Sequence, residues 1–185
     1  MGAEMVLGRW IPWASQIRDA DWEALYAEQL PRVYNFFRYR VGHGPEAEDL
    51  TSLTFEKAWQ ARGRYRRDLA AFSTWLMAIA RNVAVDHYRF RALRRAAPLE
   101  EAEGLAGPAT PETLAIQRSD AERLARMLAG LPDRERELIA LKYGAGLTNR
   151  DIARQLKMTE SNVGTVLHRT IQRLRADWGD EGGAS

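Results

Sequence analysis

The sequence predicts an all-α protein: two small helical domains joined by a flexible linker, the C-terminal one containing a helix-turn-helix. Three observations lead there. Apolar residues recur at spacings of three and four along most of the chain. Residues 96 to 122 interrupt that pattern with six acids, one arginine and Pro98, Gly104, Gly107, Pro108 and Pro111, the composition of a linker. Leu147 to Arg175 then divides into two short helical patterns around a tight turn. The expected organisation is an N-terminal extension over 1–20, a first domain over 21–95, a linker over 96–120, a second domain over 121–178 and a tail over 179–185.

Composition excludes several classes. The 185 residues include no cysteine, which removes disulfides, cysteine-ligated zinc and thiol catalysis, and fits a reducing compartment. No apolar run reaches the length of a membrane span, and the N-terminus lacks a basic segment followed by a hydrophobic core, so a cytoplasmic protein with no membrane partner is expected. His43, His87 and His168 are scattered, and neither a phosphate-binding glycine loop nor a catalytic carboxylate pair is legible. The expectation is therefore not an enzyme, with no cofactor and no metal. Formal net charge is only +2, so any role with nucleic acid depends on where the charges sit.

In chain order, Trp10, Pro12 and Trp13 mark a segment that either packs its tryptophans on the first domain or binds a partner. From Asp21, the residues Trp22, Leu25, Tyr26, Leu30, Val33, Phe36 and Phe37 form a helical stripe, with Pro31 starting a new segment or bending the old one. Gly42 to Pro45 is a turn. Glu46 opens a helix through Leu50, Leu53, Phe55, Ala58 and Trp59. A basic loop, Arg62 to Arg67, leads to a helix near Ser73 with Trp75, Leu76, Ile79, Ala80 and Val83 towards a core. After the linker the pattern resumes at Leu124, Leu128 and Leu131. Pro132-Asp133 starts a helix with Leu138, Ile139, Leu141 and Tyr143, which Gly144 and Gly146 end.

Thr148 and Asp151 then make a capping-box start for a helix from Asn149 to Leu156, and Lys157-Met158-Thr159 is the turn. Thr159 caps a second helix with Val163, Leu167, Ile171 and Leu174 on one face. Ser161, Thr165, His168, Arg169, Gln172 and Arg173 fall on the other, the form of a helix laid in a DNA major groove. A solvated amphipathic pair would share the apolar stripe. The glycine-rich tail after Trp178 is expected to fray.

Charge separates the first domain into two stretches. Residues 19 to 58 carry eight acids and four bases, whereas residues 61 to 95 carry nine arginines and two aspartates. Arginines interleaved with aromatics suit single-stranded nucleic acid, where guanidinium groups track phosphates and rings stack on bases. The competing reading is a solvated basic helix with core aromatics.

AEDLTSLTFEKAWQARGRY, FSTWLMAIARNVAVDHYR and LPDRERELIALKYGAGLTNRDIARQLKMTESNVGTVLHRTIQRLR, in this order, together resemble a bacterial sigma factor of the extracytoplasmic-function (ECF) class. The resemblance covers roughly residues 21 to 177. It implies a promoter-specificity subunit whose first domain binds core RNA polymerase and melts the −10 element and whose second reads the −35 element. The implied partners are the polymerase β′ coiled coil and β flap, promoter DNA and, in many members, an anti-sigma factor. By the same resemblance, Asp49, Leu50, Thr54, Phe55, Ala58 and Trp59 match the polymerase-docking helix. Tyr65, Arg66, Arg67, Trp75, Arg81, Asn82 and Arg89 match the −10 region, and Arg150, Ser161, Asn162, Thr165, His168, Arg169 and Arg173 match the −35 reader. Two departures stand out: Ser52-Leu53 replaces the usual Gln-Glu, and Gly164 and Val166 replace a frequent lysine and arginine. A stand-alone helix-turn-helix repressor is the alternative; it would need a palindromic operator and no polymerase.

Overall fold

The computed structural model describes residues 17, 19–42, 44–96 and 113–182, which are mostly helical with no strand among them. The helices are α1 (Asp19–Val41), α2 (Pro45–Ala61), α3 (Phe72–Ala96), α4 (Thr113–Ala129), α5 (Asp133–Ile139), α6 (Asn149–Leu156) and α7 (Glu160–Gly182). A 3₁₀ turn over Arg62–Arg64 follows α2, and a π turn over Ala140–Gly144 extends α5. Trp10, Trp13 and most of the expected linker lie outside the described residues.

Several boundaries differ from the sequence expectation. α1 runs unbroken through Pro31. Pro31 and Ala27 are both exposed, so the carbonyl that loses its partner to the proline ring can be hydrated. α4 begins at Thr113, inside the segment read as linker, because Leu114, Ala115, Gln117 and Arg118 are good helix formers whose signal the acid and proline count obscured. α7 continues to Gly182, past the point where fraying was expected.

The turns follow from backbone chemistry. Gly42 and Gly44 have φ of 97° and 107°, a region that side chains disfavour, and Pro45 then opens α2 at a position where its missing N–H costs nothing.

In the N-terminal unit, Val33, Phe36 and Phe37 of α1 meet Ala47, Leu50, Phe55 and Ala58 of α2 and Leu76, Met77, Ala80 and Val83 of α3, all buried. Each large side chain so buried contributes roughly 1.5–3 kcal/mol. Thr51 and Thr54, also buried, donate to the Ala47 and Leu50 carbonyls at 2.7 and 2.8 Å, which makes their hydroxyls tolerable inside. Trp22 packs edge-on against Phe55, Trp59 and Phe72. Leu53, although apolar, is exposed on the outer side of α2.

Leu138, Ile139, Leu141, Ile152, Val163 and Leu167 form the C-terminal part of the core. α1 itself packs against the π turn, α4 and α5, so the two units share it. Among the described residues, no helix is long and apolar enough to cross a membrane.

Candidate nucleic-acid interface

α6 and α7 form the helix-turn-helix. Thr148 Oγ1 accepts from the Asp151 amide at 3.1 Å and donates to the Asp151 carboxylate at 2.6 Å, closing the first turn of α6. Lys157 turns the chain with φ 53° and ψ 47°, and the Thr159 hydroxyl accepts from the Asn162 amide at 3.2 Å to start α7. Val163, Leu167 and Leu174 are buried. That burial fixes the rotation of α7 and leaves Ser161, Asn162, Thr165, His168 and Arg169 exposed. Arg150 is exposed beside α7, 3.7 Å from Glu160. Arg173 is engaged by the Glu135 carboxylate, which also takes the Thr170 hydroxyl. Gly164 faces α6: a Cβ there would lie 3.6 Å from Asn149 Nδ2, an ordinary contact. It belongs to the seam between the helices, not to the outer face.

The basic loop is built around Tyr65, and here the expectation needs correcting. Tyr65 is buried, its hydroxyl donates to the Ala70 carbonyl at 3.1 Å, and its ring packs on Phe72 and Trp75. It is the internal pillar of the loop and has no face free for a base. Burial raises the phenol pKa, opposed by the charge of Arg67. Arg66 and Arg67 are exposed; Arg66 makes a two-pronged contact with Asp68 at 3.0 and 2.7 Å, and this hydrogen bonding lowers the Asp68 pKa. Leu69, which sequence reasoning passed over, is 69% exposed at the loop tip. Arg62 lies 3.6 Å over the Trp59 ring and donates to the Trp59 carbonyl, bracing the loop's first turn.

Along α3, Asn82 and Arg89 are exposed and Trp75 is half-buried. Arg81 is not free: its Nε donates to Glu137 at 2.7 Å and its Nη1 to the Gln155 carbonyl at 3.1 Å.

The acidic helix also sorts by face. Leu50, Thr54, Phe55 and Ala58 are buried and Trp59 is half-buried, so these residues hold α2 in the core and do not form its outer surface. The outward side presents Glu48, Asp49, Ser52, Leu53 and Glu56. Helical period alone separates the two sets; matching by motif merged them.

Comparison with known proteins agrees with this arrangement. Residues 25–94 match the family model "Sigma-70 region 2", and residues 121–174 match "Sigma-70, region 4". The chain is 29% identical over 153 residues to the ECF RNA polymerase sigma factor BldN of Streptomyces coelicolor, covering 81% of this chain and 57% of that protein. It is 31% identical over 150 residues to the ECF RNA polymerase sigma factor SigD of Mycobacterium tuberculosis, covering 78% of this chain and 71% of that one. The structure of the sigma factor RpoE from Bartonella quintana, solved with the anti-sigma factor NepR, superposes with a TM-score of 0.64 at 22% identity, over 84% of this chain and 95% of that chain. With both family models matched in order on the units that carry the helix-turn-helix and the basic loop, the chain belongs to the ECF class of RNA polymerase sigma factors.

Proposed function

We propose that residues 21–95 dock on core RNA polymerase and open the −10 element, while residues 121–178 read the −35 element. The observation that carries this division is the rotation of α7, which buries Val163, Leu167 and Leu174 and exposes Ser161, Asn162, Thr165, His168 and Arg169 as one polar face. That face is suited to base edges and phosphates in a major groove. The acidic outer side of α2, with Glu48, Asp49 and Glu56, suits a basic polymerase surface, such as the β′ coiled coil. The β flap is the proposed second contact, through the C-terminal unit. Arg66, Arg67, Asn82 and Arg89 supply the strand-gripping side of the N-terminal unit.

In this reading the protein acts in the cytoplasm as a stoichiometric initiation factor, not an enzyme. Because RpoE was solved with an anti-sigma factor, a comparable partner is proposed for this chain. Transcription reconstituted with core polymerase and fragmented genomic DNA tests the whole assignment. Specific start sites that depend on this protein are expected; duplex binding to a palindrome without polymerase would instead favour a repressor.

A further inference from the structure

A cavity of about 610 Å³ opens where the end of α1, the C-terminal half of α3, α4 and α5 converge. Five arginines line it: Arg38 and Arg40 from α1, Arg91 from α3, Arg126 from α4 and Arg136 from α5. No aspartate or glutamate is among the lining residues. The volume lies in the ordinary range of small-molecule sites, about 300–1,000 Å³.

Part of this charge has a structural explanation. Arg38 and Arg40 stand in the last turn of α1, where the helix carbonyls favour a cation. Arg40 meets the carboxylate and the carbonyl of Asp133 at 2.9 and 3.0 Å, and Arg91 meets Glu46 at 3.1 Å. Arg136 donates through Nη2 to the Leu131 carbonyl at 2.9 Å and to the Ala129 carbonyl, closing the turn after α4. Among the described residues, however, no carboxylate pairs with Arg38, Arg126 or Arg136, so three uncompensated guanidinium charges line one cavity. The Nε atoms of Arg40 and Arg136 are moreover buried without a hydrogen-bond partner, and the Arg40 side chain is only 2% exposed. Like charges gathered around a concave surface repel one another, and a buried donor without an acceptor costs stability. One multivalent anion in the cavity relieves both.

We infer that this cavity is a binding site for a small ligand bearing a diphosphate group. A diphosphate carries enough charge and enough oxygens to engage Arg38, Arg126 and Arg136 together and to offer an acceptor to the Arg40 Nε. Guanidinium forks match phosphate oxygens in strong, charge-assisted bonds, whereas a single carboxylate would neutralise only one of the three. Tyr88 gives the cavity a flat wall: its hydroxyl donates to the Arg40 carbonyl and its ring lies 4.8 Å from the Arg40 guanidinium. The diphosphate is therefore either inorganic or part of a nucleotide whose base rests on that wall. None of these residues belongs to the polar face of α7 or to the basic loop, so the site stands apart from the proposed promoter role.

Titration calorimetry of the full chain with inorganic pyrophosphate, at about 0.15 M salt to screen surface charge, tests the site. Saturable one-to-one binding is expected, with a raised melting temperature. Arg38→Gln and Arg126→Gln remove charges that no carboxylate balances, so each should keep the parental circular dichroism and weaken pyrophosphate about tenfold. Arg66→Gln with Arg67→Gln, on the exposed basic loop, should leave the affinity within about twofold of the parent. A nucleoside diphosphate separates the two sources: tighter binding than pyrophosphate assigns a nucleotide, and equal binding an inorganic diphosphate. No saturable binding, binding indifferent to Arg38 and Arg126, or an equal loss in the basic-loop variant would each overturn the site. So would a single-stranded oligonucleotide that displaces pyrophosphate through Arg38 and Arg126, which would make the cavity a strand contact.

Discussion

Tyr65 stands among arginines in the sequence, and an aromatic in such company reads as a base-stacking residue. Its burial and its bond to the Ala70 carbonyl give it another task, which no local pattern reveals because Phe72 and Trp75 reach it only through the fold of the loop. Tyr65→Phe should lower stability by about 0.5–1.5 kcal/mol in denaturant titration, the worth of one hydrogen bond. Burial raises the folded-state phenol pKa above its ordinary value of 10, so the unfolded chain ionises first. The stabilisation is complete below pH 10 and is lost as pH rises from there through the raised folded value, and the Phe variant should show a smaller alkaline loss. Arg66 and Arg67, exposed on the same loop, are the side chains proposed to grip a melted strand. Replacing both with alanine should leave duplex binding by the holoenzyme within a few-fold, yet strongly reduce permanganate-reactive thymines. Activity should return on a template premelted across the −10 element, since contacts worth about 1–3 kcal/mol per base form only after the strands part. Normal opening by the double variant would remove the loop from strand capture.

At the scale of elements, periodicity was most informative where one face is buried and one is wet. The caps at Thr148 and Thr159, the turn at Lys157 and the inner face of α7 all follow from spacing, because local hydrogen bonds and the helical repeat specify them. The inner and outer faces of α2 also follow from the helical repeat, which places Leu53 on the exposed side although it is apolar. Arg169→Ala should weaken −35 binding by about 1–3 kcal/mol with unchanged melting temperature, measured by anisotropy on promoter duplex with holoenzyme. Unaltered affinity would move the reading face elsewhere. Gly164 is one of the two positions where a lysine and an arginine are frequent in the class, and its place against Asn149 makes it a packing residue. Gly164→Ala should stabilise α7 by up to about 1 kcal/mol, seen as a raised melting temperature, with little effect on DNA affinity. A drop in melting temperature would show that the seam cannot take a methyl group.

Across the whole molecule, the order of helices was legible and their packing across the linker was not. Gly144 reads in sequence as a helix stop, yet its lack of a side chain serves the approach to Asn35 and Phe36, more than a hundred positions earlier. Arg81 likewise reads as a nucleic-acid residue and is found in an ion pair with Glu137. Partners this distant in sequence leave no periodic trace. The proposed association with polymerase also belongs to this scale, because it would use a face of α2 that the described residues leave uncovered. Asp49→Arg should abolish co-purification with core polymerase while leaving circular dichroism unchanged, since it reverses an exposed charge on the acidic side of α2. Retention at the parental level would place the docking surface elsewhere.

The seat of Gly144 on α1 also sets a clock during synthesis. Phe36 and the backbone around it leave the ribosome well before the π turn exists, and at about 5–20 residues per second the intervening hundred or so residues take roughly 5–20 s. Over that interval the N-terminal unit can fold on its own core with the α1 seat vacant, and the C-terminal unit arrives as a late, intramolecular ligand. A nascent chain stalled before residue 140 thus lacks the residues that fill that seat.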